Sequence, residues 1–369
     1  MPVKVSYKKQ ILLYLILVLI GFSIVEIFAS TIAKPIVLEN CANRLTASEI
    51  YPDYSKSELQ RLFGDYSDLN VFISDDRSII ITFPFQHSKS ININSFGLRG
   101  EEITLEKSKD VTRIVMLGGS TTFGWYALDD DGTIPSYLQK IMNRNDNNMK
   151  FEVINAGHPG AGSSFETEFL KKILKFEPDI VIVYDGYNEL TTPLPMDISE
   201  IKTQLQILYK QLEEPFFTPI LVRKVTNEIN SNIFLLVHEK PNTKNVDYTE
   251  EDYVKRADLW EKNWSITCDK LITDDLKIVV FLQPYLGSSD RMVSKYESEI
   301  MSKNIKQNYY NLFKEKIPEI NSHCTLANDI TNAFDNINKP IFGDPAHTGN
   351  YGNEIIAERI YEEIQSIIQ

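Results

Sequence analysis

Cysteine is scarce. The 369-residue chain has three, Cys41, Cys268 and Cys324. That is too few, and too scattered, for a thiolate metal cage or a disulfide framework. One pair could form a bridge if the domain lies outside the cytoplasm, and three buried thiols are the alternative. Positive charge is also in deficit. Lys and Arg number 38 against 51 Asp and Glu, a formal net charge of −13. An acidic surface repels phosphate backbones, which sets a nucleic-acid partner aside. The sequence has neither Gly-x-Gly-x-x-Gly nor Gly-x-x-x-x-Gly-Lys-Ser/Thr, so both common nucleotide loops are missing. It also lacks internal repeats and low-complexity tracts.

What is present is enough apolar material for a large core. The chain is 43% hydrophobic and 24% charged, as in globular proteins. Ile11–Phe28 is apolar except for Glu26 and follows Lys4, Lys8 and Lys9. Its length suits a bilayer-spanning helix, which needs about 20 residues. The preceding lysines place the N-terminus in the cytoplasm and the rest outside, on the cell membrane. A cleaved signal peptide is the rival, with small residues at Thr31 and Ala33, and would make the protein secreted. Residues 1–34 are thus read as stub and anchor. Residues 35–110 form an extension, partly β, with a helical stretch near Ser57–Phe63. Residues 111–369 form the main domain.

In that main domain, strands and helices alternate. Thr112–Leu117, Phe151–Ile154, Asp179–Tyr184 and Lys277–Leu282 are short apolar runs. Helical stretches lie at 133–143, at Phe165–Phe176 before Pro178, and at Glu354–Ile368. Strands that are apolar throughout and separated by helices predict a mainly parallel sheet covered on both faces. That is an α/β fold, a three-layer α/β/α sandwich. Residues 190–275 interrupt this rhythm. The span Ile198–Val237 is helix-rich and broken by Pro215 and Pro219, and it is read as a lid, a substrate-binding insertion or a packing excursion.

The strand ends carry the chemistry. After the first strand comes Gly118-Gly119-Ser120-Thr121, a turn able to present a serine hydroxyl at the sheet's carboxyl edge. After the second comes Asn155-Ala156-Gly157-His158-Pro159-Gly160, in which Gly160 lets its backbone N–H approach a ligand. After the third comes Gly186-Tyr187-Asn188-Glu189, where Asn188 offers a neutral donor. Just before the last helix comes Asp344-Pro345-Ala346-His347. Asp and His at this spacing can meet, and a serine needs such a base to become a nucleophile.

These four stretches, in this order, resemble the four sequence blocks of the SGNH (GDSL-like) hydrolase family. The resemblance covers residues 111–369. Two positions depart from it. The serine block reads Gly-Gly-Ser rather than Gly-Asp-Ser, and the third block ends in Glu189 rather than Asp. Asn94–Gly100 (NSFGLRG) and Phe281-Leu282-Gln283-Pro284 are similar to features of membrane-anchored members. The resemblance implies a flavodoxin-like α/β sandwich and a serine esterase. Ser120 would be its nucleophile, His347 its base and Asp344 the orienting acid. The oxyanion would be met by the N–H of Ser120, the N–H of Gly160 and the amide of Asn188. It implies no metal and no organic cofactor. His158, Thr121 and Tyr187 are candidate substrate-lining residues. Asp185 and Glu189 flank Asn188 and are read as fixing its loop, with a glycosidase-like carboxylate pair as the alternative. The expected substrate is a carboxylic ester, such as an O-acetyl group on a surface or secreted glycan. A lipase or lysophospholipase, a glycan acyltransferase and a non-catalytic glycan-assembly protein are the alternatives.

Overall fold

The computed structural model describes residues 7–32, 47–69, 71–73, 79–145, 149–191, 248–302 and 308–368. The chain divides into two compact units, residues 1–37 with 216–244 and residues 38–215 with 245–369. In the first, the described part is one helix, α1 (Tyr7–Ile32). Its leucines and isoleucines from Ile11 to Ile20 are exposed. Among the described residues no helix is long and apolar enough to cross a membrane. The span expected over Ile11–Phe28 is thus not found among them, and the side chains of Phe22 and of the residues beyond Ile24 lie outside the described residues.

The second unit is built on a five-stranded parallel sheet of β5 (Val111–Gly118), β6 (Lys150–Gly157), β7 (Ile180–Asp185), β8 (Lys277–Leu282) and β9 (Leu326–Asp329). Their order is β6-β5-β7-β8-β9. Alternate side chains point to opposite faces. Val115, Leu117, Val181, Val183, Ile278 and Val280 share one apolar cluster with Phe165, Phe169, Trp260, Trp264 and Ile320. Those partners lie on α5 (Ser163–Ile173), α6 (Glu250–Leu271) and α7 (Ile317–His323). Ile114, Met116, Ile180, Ile182, Val279 and Phe281 join a second cluster with Leu138, Met142, Ile356 and Ile360. These sit on α4 (Ile134–Asn145) and α8 (Asn350–Ile368). Helices therefore cover both faces, as continuously apolar strands require.

The presumed insertion has a different character where it is described. Residues 192–247, including Ile198–Val237, lie outside the described residues. Residues 250–271, however, are α6, a helix of the core layer rather than an excursion. It starts at a Thr249/Asp252 capping box and carries three acids in its first turn, which suits the positive end of the helix dipole. Trp260, Trp264 and Cys268 follow at four-residue spacing and are all fully buried. Cys268 is bonded to Cys324 at the end of α7. Of the two readings of the cysteines, the bridge is the one found.

The extension supplies α2 (Lys56–Ser67), the hairpin-like pair β1 (Val71–Ile73) and β2 (Ile80–Thr82), and the pair β3 (Gln86–His87) and β4 (Asn92–Ile93). Its core is shared with the main domain. Tyr51, Phe63, Tyr66 and Ile93 pack with Phe123, Tyr126 and Leu128, the residues just after Ser120.

Candidate active site

Parallel register brings the motifs to one level. Gly118 at the end of β5 pairs with Gly157 on β6 and with Tyr184 on β7. The loops that follow these strands therefore leave from the same carboxyl edge, where α/β sheets place their ligands. Gly118 has φ of +156°, and a Cβ there would lie 2.1 Å from Thr122 Oγ1 and 2.5 Å from the Tyr184 carbonyl. The turn into α3 (Ser120–Phe123) is thus closed to larger residues. Ser120 opens α3, so its N–H has no acceptor within the helical turn.

His347 arrives from the turn before α8. Its Nε2 lies 2.6 Å from Ser120 Oγ, and its Nδ1 lies 2.7 Å from Asp344 Oδ2. Asp344 Oδ1 also accepts the backbone N–H groups of Ala346 and His347, each at 2.9 Å. Burial pushes the Asp344 carboxyl up. The His347 imidazole and these hydrogen bonds outweigh that and hold it below the ordinary carboxylate range. An ionised acid fixes Nδ1–H and leaves Nε2 to accept the serine proton. The Tyr126 ring stacks on the imidazole, 5.8 Å between centroids and 26° between planes.

Asn188 begins a short helical turn after β7. Its Nδ2 donates to the Ala161 carbonyl at 2.6 Å, which settles which end of the amide faces the glycine block. A Cβ on Gly119 would lie 2.2 Å from the same Nδ2, so the amide rests against the residue before the serine. Gly160, next to Ala161, has φ of +83°, a conformation that favours glycine. Ser120, Gly160 and Asn188 thus occupy three adjoining loops at one sheet edge, with His347 and Asp344 on the fourth.

The three candidate lining residues part company. His158 is 2% exposed and packs against Phe165 and Phe169, which removes it from the substrate-lining set. Its Nδ1 bonds the Ala156 carbonyl at 3.2 Å and its Nε2 meets no partner. Burial lowers its pKa to about 4. Thr121 is buried and its hydroxyl lies 3.3 Å from Gln283 Oε1, so it joins the serine turn to the end of β8. Tyr187 is half-buried against the apolar cluster under α5 and α6. Asp185 and Glu189 are buried and bonded to protein groups, as loop-fixing residues would be. Asn263 on α6 donates its amide nitrogen to the hydroxyls of Ser163 (2.9 Å) and Ser164 (3.2 Å).

Local pattern gave little warning of the braces supplied by the extension. Arg99, 3% exposed, pairs its Nε with Asp130 at 2.7 Å. Its Nη1 donates to the carbonyls of Phe123 (3.1 Å) and Gly124 (2.9 Å) and to the Tyr66 hydroxyl (2.9 Å). Tyr66 in turn donates toward the Gly124 carbonyl at 2.6 Å and the Ala127 carbonyl at 2.7 Å. Tyr51 donates to the Tyr126 carbonyl at 2.7 Å and accepts the Asn350 N–H at 2.7 Å. The segment after Ser120 and the segment after His347 are both held from the extension. The one available signal was the NSFGLRG stretch, which contains Arg99.

The chain matches no protein-family model and no curated protein. Among solved structures it is similar to an acetyl xylan esterase from Geobacillus stearothermophilus, with 15% identity over 71% of this chain and 97% of that one and a TM-score of 0.40. It is similar to an alpha/beta hydrolase enzyme from the metagenome of Lake Arreo, with 13% identity, 68% and 94% covered and a TM-score of 0.39. It is similar also to the lipase/acylhydrolase from Enterococcus faecalis, with 15% identity, 69% and 95% covered and a TM-score of 0.39. At this distance the likenesses carry no residue roles and no substrate.

Proposed function

We propose that this chain is a serine ester hydrolase. The observation that carries the reading is the unbroken line Ser120 Oγ, His347 Nε2, His347 Nδ1, Asp344, with links of 2.6 Å and 2.7 Å. Beside it, the Asn188 amide lies against Gly119. In the first step Ser120 Oγ attacks the ester carbonyl carbon while His347 Nε2 takes its proton. The carbonyl oxygen becomes an oxyanion, met by the N–H groups of Ser120 and Gly160 and by Asn188 Nδ2. Collapse expels the alcohol, which receives the proton from His347. Water, deprotonated by the same Nε2, then releases the acid and restores Ser120. Preorganised donors of this kind are each worth about 2.7–4 kcal/mol.

The finer reading is an extracytoplasmic enzyme acting on O-acetyl groups of surface or secreted glycans. The Cys268–Cys324 bridge supports the location, since such bonds persist in oxidising compartments. The exposed apolar stretch Ile11–Ile20 after Lys8 and Lys9 supports delivery through a membrane by an N-terminal anchor or signal. The test is hydrolysis of p-nitrophenyl acetate against longer acyl chains, beside Ser120→Ala, followed by acetate release from an acetylated polysaccharide. Absence of turnover on every ester, or equal turnover in the variant, overturns the hydrolase reading. A preference for long chains turns the substrate from glycan acetate to lipid.

A further inference from the structure

Behind Asn188 lies a group of buried acids that ester hydrolysis does not use. Glu166 on α5, Asp185 at the end of β7 and Glu189 beside Asn188 are 1%, 2% and 6% exposed. The Asp185 oxygens accept from two indoles one helical turn apart on α6, Trp260 Nε1 at 2.8 Å and Trp264 Nε1 at 3.2 Å. The Glu189 carboxyl accepts from the Ser163 N–H at 2.5 Å, and the Glu189 carbonyl accepts from Arg256 Nη1 at 2.7 Å. Glu166 differs. Among the described residues neither of its oxygens meets an N–H or O–H donor, and the carboxyl it faces is that of Asp185.

Two carboxylates cannot hydrogen-bond each other without a proton. The charged and titratable groups around the pair are Glu189 from the Asn188 turn, Arg256 from α6 and the buried phenol of Tyr310. Among the described residues the cation beside this group is Arg256, and it acts on Glu189. An unpaired buried charge costs far more than retention of a proton. Burial, with Asp185 beside it, pushes Glu166 well above the ordinary carboxyl range. Burial, with Glu189 beside it, pushes Asp185 up as well.

We infer that Glu166 and Asp185 share one proton, and that this pair is a positioning device for Asn188. The inference rests on the oxyanion role proposed above for Asn188. Asp185 precedes Asn188 by three residues. Glu166 stands on the helix that begins two residues after Ala161, whose carbonyl holds the Asn188 amide. With the proton in place, a Glu166 O–H donates to Asp185 and ties α5 to the end of β7. When hydroxide removes that proton, two like charges are left in contact and the α5 and β7 ends separate. The Ala161–Asn188 contact spans that joint. Activity then falls on the alkaline side through groups that never touch substrate.

The experiment uses the full chain with 15N-indole tryptophan. There are three tryptophans, and W260F and W264F assign the two that bond Asp185. The Trp260 and Trp264 indole N–H resonances are expected to move together through one transition above neutral pH, while Trp125 stays fixed. Glu166→Gln, whose amide donates permanently, is expected to abolish that transition. It should also keep kcat at neutral pH and shift the alkaline limb of kcat upward by about one pH unit or more, with KM unchanged. Indole resonances constant between about pH 5 and pH 10 overturn the inference, as does an alkaline limb that Glu166→Gln leaves in place. A merely structural Glu166 gives that second result. The titration needs no substrate and no variant of Glu166. It therefore reads the pair even if no ester is hydrolysed, and a failure of the esterase reading is seen separately.

Discussion

His347 Nε2 stands 2.6 Å from Ser120 Oγ although 227 positions separate the two residues, and the same imidazole holds Asp344 on its other side. The contact depends on one edge of one sheet, since Ser120 follows β5 and His347 precedes α8. Ser120→Ala is expected to remove ester hydrolysis. Asp344→Asn should keep the geometry but allow the wrong imidazole tautomer, lowering kcat by about 10⁴-fold with little change in KM. Steady-state kinetics on a chromogenic acetate checks both. Asp344 also predicts a direction for pH. Its folded value lies below the ordinary 3.8, so its stabilising contribution is present above that value and is lost only as pH falls below it. Acid loss of stability between pH 7 and 5 therefore has to come from another group.

The loop that carries Asn188 supports a second prediction through steric contact. A methyl group on Gly119 would meet Asn188 Nδ2 at 2.2 Å. Gly119→Ala is therefore expected to displace the amide, and Asn188→Ala to remove it. Each should lower kcat by about 10²–10³-fold, the usual cost of one oxyanion donor. The double variant should be no worse than Asn188→Ala alone, because the clash has gone with its partner. Non-additivity in that cycle is the measurement. Full additivity would place Asn188 away from the nucleophile turn.

A third prediction concerns the extension. Arg99 and Tyr66 hold the carbonyls of Phe123, Gly124 and Ala127, just past Ser120. Tyr66→Phe removes a buried hydroxyl that both donates and accepts, at an expected cost of about 1–3 kcal/mol. Arg99→Met leaves Asp130 without its guanidinium and should cost about 3–5 kcal/mol. Denaturant unfolding gives both values. In Tyr66→Phe, kcat should fall more than KM changes, since small displacements at a reacting atom are costly in rate.

These braces mark the limit of what the chain discloses before folding. Gly118, Ser120, Gly160, Asn188 and His347 were legible because each sits in a short motif at the end of a strand with strong apolar periodicity. Order along the chain then supplied the site. Tyr51, Tyr66 and Arg99 lie in weakly patterned sequence, and their partners are long-range carbonyls. Backbone acceptors have no residue identity, so such contacts leave no trace in composition or spacing. The role of α6 was hidden in a similar way. Residues 250–271 follow a long segment of no clear rhythm, and only packing shows that Trp260 and Trp264 are core. His158 was legible as a loop histidine but not as a buried one. Whether it turned toward substrate or toward Phe165 and Phe169 depended on a helix that follows it.

His158 supplies the last prediction. Its ring is buried, its Nε2 has no partner, and its pKa is lowered from the ordinary 6.5 to about 4. The unfolded chain therefore binds a proton at this position when pH falls below 6.5, whereas the folded chain does not until about 4. Stability from the neutral ring is complete above 6.5 and declines as pH drops through that window. A displacement of this size amounts to about 2–3 kcal/mol at pH 4.5. Urea unfolding of the native protein should show that loss between pH 7 and 4.5. His158→Leu, which keeps the packing against Phe165 and Phe169 and cannot titrate, should lose that much less over the same interval. It should also retain ester hydrolysis at neutral pH, because the ring lies in the core. A strong loss of kcat in His158→Leu without loss of stability would return His158 to the substrate pocket.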